Sequence, residues 1–301
     1  MIVYLKNPEI DREQWDNCIS ASLSFKTYAF SWYLDIMAPG WEALIDDDYD
    51  SVFPLPGFSK FGIRYISTPI FLQQLGAFSP DKPVEKVIYE FLDYMPEFYK
   101  FVDLCVGQKI NCKGYNIIER SNYELDLSAS YEKLWDGFTS DCRRNIQIGA
   151  KKKLELTASI SPEELINLFV WNKGIKLRGI KIRDYDRLKG LMNYCISNNK
   201  GRIIGVRTAR KRLIFGVFLV QIPGSITILF TTNTPESRDK RTGYFLINEI
   251  IRDNALTETV LDFAGSSIPS VASFIESFGS VNNPYYRIYR NQLPWPISVL
   301  K

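Results

Sequence analysis

The chain contains no histidine among its 301 residues. A Ser-His-Asp or Cys-His catalytic group and a His-ligated metal centre are thereby excluded. Cysteine is sparse too. Cys18, Cys105, Cys112, Cys142 and Cys195 are odd in number and no two form a CxxC pair, so neither a disulfide framework nor a zinc ribbon is expected. That usage fits a reducing compartment, and the expected location is the cytoplasm, with no resident metal. Long apolar runs are also missing. The best of them, Leu213 to Val220, is far too short to span a bilayer, and the N-terminus turns charged within six residues, unlike a signal peptide.

What is present is ordinary globular material, 46% apolar and 14% aromatic, in a chain longer than one typical core supports. Two domains are expected. The net charge of +3 conceals an asymmetry: residues 1–130 hold 11 Lys and Arg against 19 Asp and Glu, and residues 131–301 hold 26 against 15, giving −8 and +11. A basic half argues for an anionic partner, whether nucleic acid, nucleotide or phosphate. Attraction between the halves is the plainer alternative.

The change of sign falls within Tyr131 to Leu156, YEKLWDGFTSDCRRNIQIGAKKKLEL, which reads as a basic helical hinge over residues 131–156. Ser130 can cap a first turn and the Thr139, Ser140, Asp141 cluster a second. Leu134, Phe138, Cys142, Ile146 and Ala150 recur every fourth residue, so one side faces a core, expected to be supplied by both halves. Arg143, Gln147 and Lys151 share another side with Arg144 nearby, and no carboxylate interrupts Arg143 to Lys153. That side suits an anion, or is simply a solvated helix face. Lys173, Lys176, Arg178, Lys181 and Arg183 form a second basic stretch, close in sequence, that resembles a phosphate footprint.

Residues 1–130 read as strand Ile2 to Leu5, helices Asp11 to Ser22 and Tyr28 to Met37, and strands Trp41 to Ile45, Ser51 to Pro54, Ile63 to Ser67 and Phe71 to Ala77. Helix Lys82 to Tyr94 and strand Phe101 to Val106 follow. After the hinge, residues 157–301 read as helices Pro162 to Trp171 and Tyr185 to Asn198, then a three-stranded meander over 202–208, 213–221 and 225–232. A loop from Asn233 to Thr242, a helix to Asn254, strand Thr259 to Ala264, helix Pro269 to Ser277 and a closing strand Tyr285 to Tyr289 complete it. The second half repeats the plan of the first, without detectable identity. The fold class expected is α+β, each half a mixed, mainly antiparallel sheet flanked by helices.

That plan, together with three stretches, resembles the FemABX and GCN5-related N-acetyltransferase (GNAT) superfamily. Tyr131 to Leu154 resembles the basic helix between the two GNAT-like domains of Fem peptidyltransferases. Val260 to Gly279, VLDFAGSSIPSVASFIESFG, is similar to their "DFGG" and "FKxxFG" signature, and FLQQLGAF within Tyr65 to Pro80 is similar to a strand pair in their first domain. Ile275 stands where that signature has lysine, and the glycine pair reads Ala264-Gly265. The resemblance implies two tandem GNAT-like domains and transfer of an acyl or aminoacyl group to an amine. The donor implied is aminoacyl-tRNA or acyl-CoA, as co-substrate rather than bound cofactor, and the acceptor a cell-wall precursor or another nucleotide-linked sugar. TPESRDKRTG, Thr234 to Gly243, lacks the R/Q-x-x-G-x-G/A phosphate cradle of acetyltransferases, so Arg238, Lys240 and Arg241 are expected to hold phosphate by charge.

Acyl transfer from an activated ester needs a deprotonated amine, an oriented carbonyl and oxyanion donors, none of which requires histidine. The candidate base is Asp262, at the end of the fourth strand of the second half, against its reading as a turn or cap residue. Asn248 and Glu249 read as solvated helix surface. A non-catalytic nucleic-acid-binding module, or a degenerate fold kept for protein interaction, is the alternative function.

Overall fold

The computed structural model describes residues 1–46, 48–172, 179–265 and 268–300. The chain divides into two compact units, one comprising Met1–Arg120 with the segment from Pro284 onward, the other Ser121–Asn283. Both are α+β, with mainly antiparallel sheets flanked by helices.

The first unit opens with β1 (Ile2–Leu5), α1 (Arg12–Ala21) and α2 (Ser31–Met37), followed by β2 (Glu42–Asp46), β3 (Ser51–Leu55), β4 (Gly57–Lys60) and β5 (Ile63–Ser67). Asp11 caps α1 by accepting from the amides of Glu13 and Gln14 at 3.0 and 3.1 Å. Then come α3 (Val84–Asp93), β6 (Tyr99–Val106) and β7 (Asn116–Arg120). Strands β1, β2 and β3 form one small sheet, and a second runs β4-β5-β6-β15-β7. Here β15 (Tyr285–Asn291), read from sequence as the closing strand of the second half, inserts between β6 and β7 of the first unit. The expected strand Phe71 to Ala77 does not form. Among the described residues that segment meets other strands at an isolated bridge, Leu75 with Val106, and Phe78 just beyond it bridges Val52.

In the second unit, β8 (Tyr123–Asp126) leads to α4 (Tyr131–Gly137), α5 (Ser140–Ala150) and β9 (Leu154–Thr157). Ser130 and Thr139 cap the two helices, accepting from the amides of Lys133 at 3.4 Å and Cys142 at 3.2 Å. Helices α6 (Pro162–Asn172) and α7 (Ile182–Ser197) precede the meander of β10 (Gly201–Thr208), β11 (Leu213–Ile222) and β12 (Ser225–Asn233). Pro223 and Gly224 turn the chain from β11 to β12, with Gly224 at φ +77°, a left-handed position that glycine takes without strain. The expected loop after β12 contains a short helix, α8 (Pro235–Asp239), because Thr234 caps it and Pro235 starts it. Then follow α9 (Thr242–Asp253), β13 (Val260–Asp262), α10 (Pro269–Glu276) and β14 (Val281–Asn282). The seven strands order as β14-β8-β13-β12-β11-β10-β9.

Side chains on alternate positions of β11 face opposite ways, which sorts the helices. Phe215, Val217 and Leu219 join Leu246, Ile247, Ile250 and Ile251 of α9 in one core. On the other face, Leu165 of α6 lies over Gly216, and Phe169 packs on Phe230 at 4.7 Å between ring centroids. The stripe of the basic helices is buried within the second unit's own core: Leu134, Phe138, Cys142 and Ile146 lie in the α9-side cluster, with Phe138 edge-on to Phe278 at 5.4 Å. Ala150 is exposed, and the buried position one turn beyond Ile146 is Gly149.

Candidate functional site

The two units share one local device. In each, the strand after the central helix pairs in parallel with the last strand of the meander, and the pair then parts. In the second unit the ladder of β12 and β13 ends at Thr227 opposite Asp262, while β12 runs on to Asn233. In the first, the ladder of β5 and β6 ends at Ser67 opposite Asp103. A hydroxyl residue thus faces an aspartate at both forks. In the first unit Thr68 and Leu75 bond the edge of β6 at Cys105, whereas past the fork of the second unit the edge of β12 carries backbone donors and acceptors that no strand among the described residues pairs. Such an edge accepts an extended chain.

Asp262 is buried, at 5% exposure, and its Oδ1 accepts the amide of Ala264 at 2.8 Å. The bond tightens a turn in which Ala264 and Gly265 both take positive φ, 55° and 58°. The turn redirects the chain away from β12 and so opens the fork. Thr227, opposite, is 1% exposed.

At the far end of β12, α8 leads to Arg241, which adopts the left-handed conformation at φ +57° as the residue preceding α9. A non-glycine residue there carries strain of about 1 kcal/mol or more, of the kind that marks functional turns. Thr242, the first residue of α9, is fully buried and its Oγ1 has no hydrogen-bond partner. The helix start faces the end of α5 across Gly149: a Cβ built there meets Phe245 Cβ at 2.9 Å and the Arg241 carbonyl oxygen at 3.0 Å. Lys151, the C-cap of α5, follows two residues later. The amides of a helix start and its dipole favour an anion.

The basic residues picked out from sequence fall into distinct settings. Arg238 and Arg241 are exposed around the start of α9, and Lys240 lies 3.8 Å from Glu236. Lys151 is exposed at the adjoining helix end. Arg143 donates to the carbonyls of Trp135 and Asp136, each at 3.3 Å, capping the end of α4. Arg144 pairs with Asp141 at 2.8 Å on the exposed side of α5. Lys173, Lys176 and Arg178 lie outside the described residues. Asn248, expected on the solvated face of α9, is instead fully buried and accepts the Tyr131 hydroxyl at 2.8 Å, tying α9 to α4.

The fork of the first unit was not found from sequence. It holds a groove of about 290 Å³, lined by Thr68, Gln73, Asp103, Cys105, Tyr285 and Arg287 among others. Asp103 and Arg287 form a two-pronged ion pair at 2.6 and 2.8 Å. Burial pushes the Cys105 thiol above its ordinary value, so it stays protonated and is a poor nucleophile at neutral pH. The signal available was the shared apolar-Asp-apolar triplet, Val102-Asp103-Leu104 within β6 and Leu261-Asp262-Phe263 at the end of β13, but Arg287 arrives from β15, far away in sequence.

The chain, with its two α+β units, has a FemABX- and GNAT-like fold. FemX is similar over 98% of this chain and 99% of its own, at 12% identity and a TM-score of 0.67. L-PGS from Bacillus licheniformis matches at 14% identity over 96% and 95% of the two chains, with a TM-score of 0.53. A conserved protein of unknown function from Bacteroides thetaiotaomicron matches at 10% identity over 96% and 99%, with a TM-score of 0.59. No protein-family model and no curated protein matches the chain. No helix among the described residues is long and apolar enough to cross a membrane.

Proposed function

We propose that the protein transfers an acyl or aminoacyl group from an activated, phosphate-bearing donor to an amine, and that the fork between β12 and β13 is where the donor chain lies. The observation that carries this reading is the geometry of that fork. One unpaired strand edge runs from a buried aspartate toward a helix start that Arg238, Lys240 and Arg241 precede in the chain, with Lys151 at the adjoining end of α5. An extended donor would hydrogen-bond along the β12 edge with its anionic head at α9. Asp262 would take the proton of the attacking amine. The resemblance of Val260 to Gly279 to the Fem signature favours aminoacyl-tRNA as donor, and acyl-CoA is the competing choice. A cell-wall precursor or another nucleotide-linked sugar is the acceptor class proposed, with the cytoplasm as the place of reaction.

The test uses the full chain with aminoacyl-tRNA and, separately, acetyl-CoA, against a panel of amino acids and amine-bearing peptides. Transfer from one donor is expected. Asp262→Asn keeps a side-chain oxygen for the Ala264 amide but removes the basicity, so activity should fall by about 10²-fold or more at unchanged melting temperature. Binding of tRNA without transfer to any amine would instead establish a non-catalytic nucleic-acid-binding protein.

A further inference from the structure

A second groove, of about 660 Å³, lies on the opposite side of the second unit's sheet from α9, between α6, the turn joining β10 to β11, and the start of α8. Its size is that of small-molecule sites, roughly 300–1,000 Å³. From α6 it receives Trp171, which is 84% exposed although tryptophan is among the costliest side chains to leave in water. Asn167 and Asn172, on the same helix, add amides.

Among the described residues, every charged side chain that lines the groove is ion-paired. Glu164 is held by Arg207 through two bonds of 2.7 Å, and Arg207 also donates to the carbonyls of Lys211 and Ser159. Arg212 is paired with Glu236, and Lys211 with Glu155 at 2.6 Å. A phosphate or carboxylate ligand would meet cations whose charge Glu164, Glu155 and Glu236 already offset, and a cationic ligand would meet carboxylates offset in the same way. A neutral ligand leaves every pair intact. Each carboxylate oxygen has lone pairs beyond those used by its arginine, so the pairs present fixed acceptors and donors to hydroxyl groups. The broad face of Trp171 offers a platform for C–H groups.

We propose that this groove binds a neutral sugar, one ring lying on Trp171 with its hydroxyls bonded to Glu164, Asn167 and Arg212. The proposal does not rest on the transfer reaction, and either can fail without the other.

The experiment is a titration of ¹⁵N-labelled full-length protein with N,N′-diacetylchitobiose and with cellobiose. Adenosine 5′-monophosphate and inorganic phosphate are titrated in parallel. At least one disaccharide is expected to shift the Trp171 indole and Asn167 amide resonances saturably. Trp171→Ala should weaken that binding tenfold or more, read on the Asn167 amide, at an unchanged melting temperature because the side chain is exposed. Glu164→Gln should weaken it less. Absence of any shift with both disaccharides, equal binding by Trp171→Ala, or tighter binding of the nucleotide or phosphate would overturn the proposal.

Discussion

Gly149 offers a sharp test of how packing positions the α9 start, because two opposing effects meet there and their sizes can be compared. It lies in the last turn of α5, where replacing glycine by alanine normally stabilises a helix by about 1 kcal/mol. The added methyl, however, would lie 2.9 Å from Phe245 Cβ and 3.0 Å from the Arg241 carbonyl oxygen. Neither atom is the far end of a flexible side chain, so α5 and α9 must separate by tenths of an ångström. Overpacking of this kind costs about 1–3 kcal/mol. The overpacking term equals or exceeds the helix gain, and Gly149→Ala should be destabilised by up to about 2 kcal/mol. Gly137→Ala is the control: the same chemical change at the end of α4, where a Cβ meets nothing within 4 Å. It should be neutral or more stable by up to about 1 kcal/mol. Urea denaturation followed by far-UV circular dichroism measures both. A second readout addresses function, since a ligand of the native state raises the melting temperature by mass action. Pyrophosphate should stabilise wild type and Gly137→Ala alike, and Gly149→Ala less. A Gly149→Ala protein as stable as wild type, with full pyrophosphate protection, would refute the reasoning.

Phe138 is 2% exposed and packs edge-on to Phe278, so Phe138→Ala should cost about 3–5 kcal/mol in the stability of the second unit, measured by thermal denaturation. A loss below about 1 kcal/mol would mean that the site collapses around the cavity. In the first unit, the hydrogen bond from Lys82 at 2.7 Å holds the Asp46 carboxyl below its usual range despite its burial. A carboxyl with a depressed folded value stabilises fully above its unfolded value, about pH 4, and that contribution is lost as pH falls through the folded one. Lys82→Ala should therefore be less stable than wild type at neutral pH, with the gap closing below about pH 4. A gap that stays constant into acid would exclude this linkage.

Local chemistry determined most of the second unit's elements. Period, caps and turn residues are short-range, so Ser130, Thr139 and Pro223-Gly224 were legible where they stand, and so were the helices and the meander between them. Asp262 at a strand end was legible for the same reason, as was the basic helix that α5 became. What required the folded chain was every pairing between segments distant in sequence. Nothing in Tyr285 to Tyr289 tells a strand which sheet to join, because its alternation suits either. Burial beside β6 and β7 decides that, and with it the Asp103–Arg287 pair. Asn248 looked like helix surface because it is polar and stands beside Glu249, and only the approach of Tyr131 gives it a buried partner. The strand expected at Phe71 to Ala77 had the composition for a ladder but no continuous partner edge, and a strand exists only with a neighbour. The left-handed Arg241 and the close seat of Gly149 against it are likewise products of α5 meeting α9.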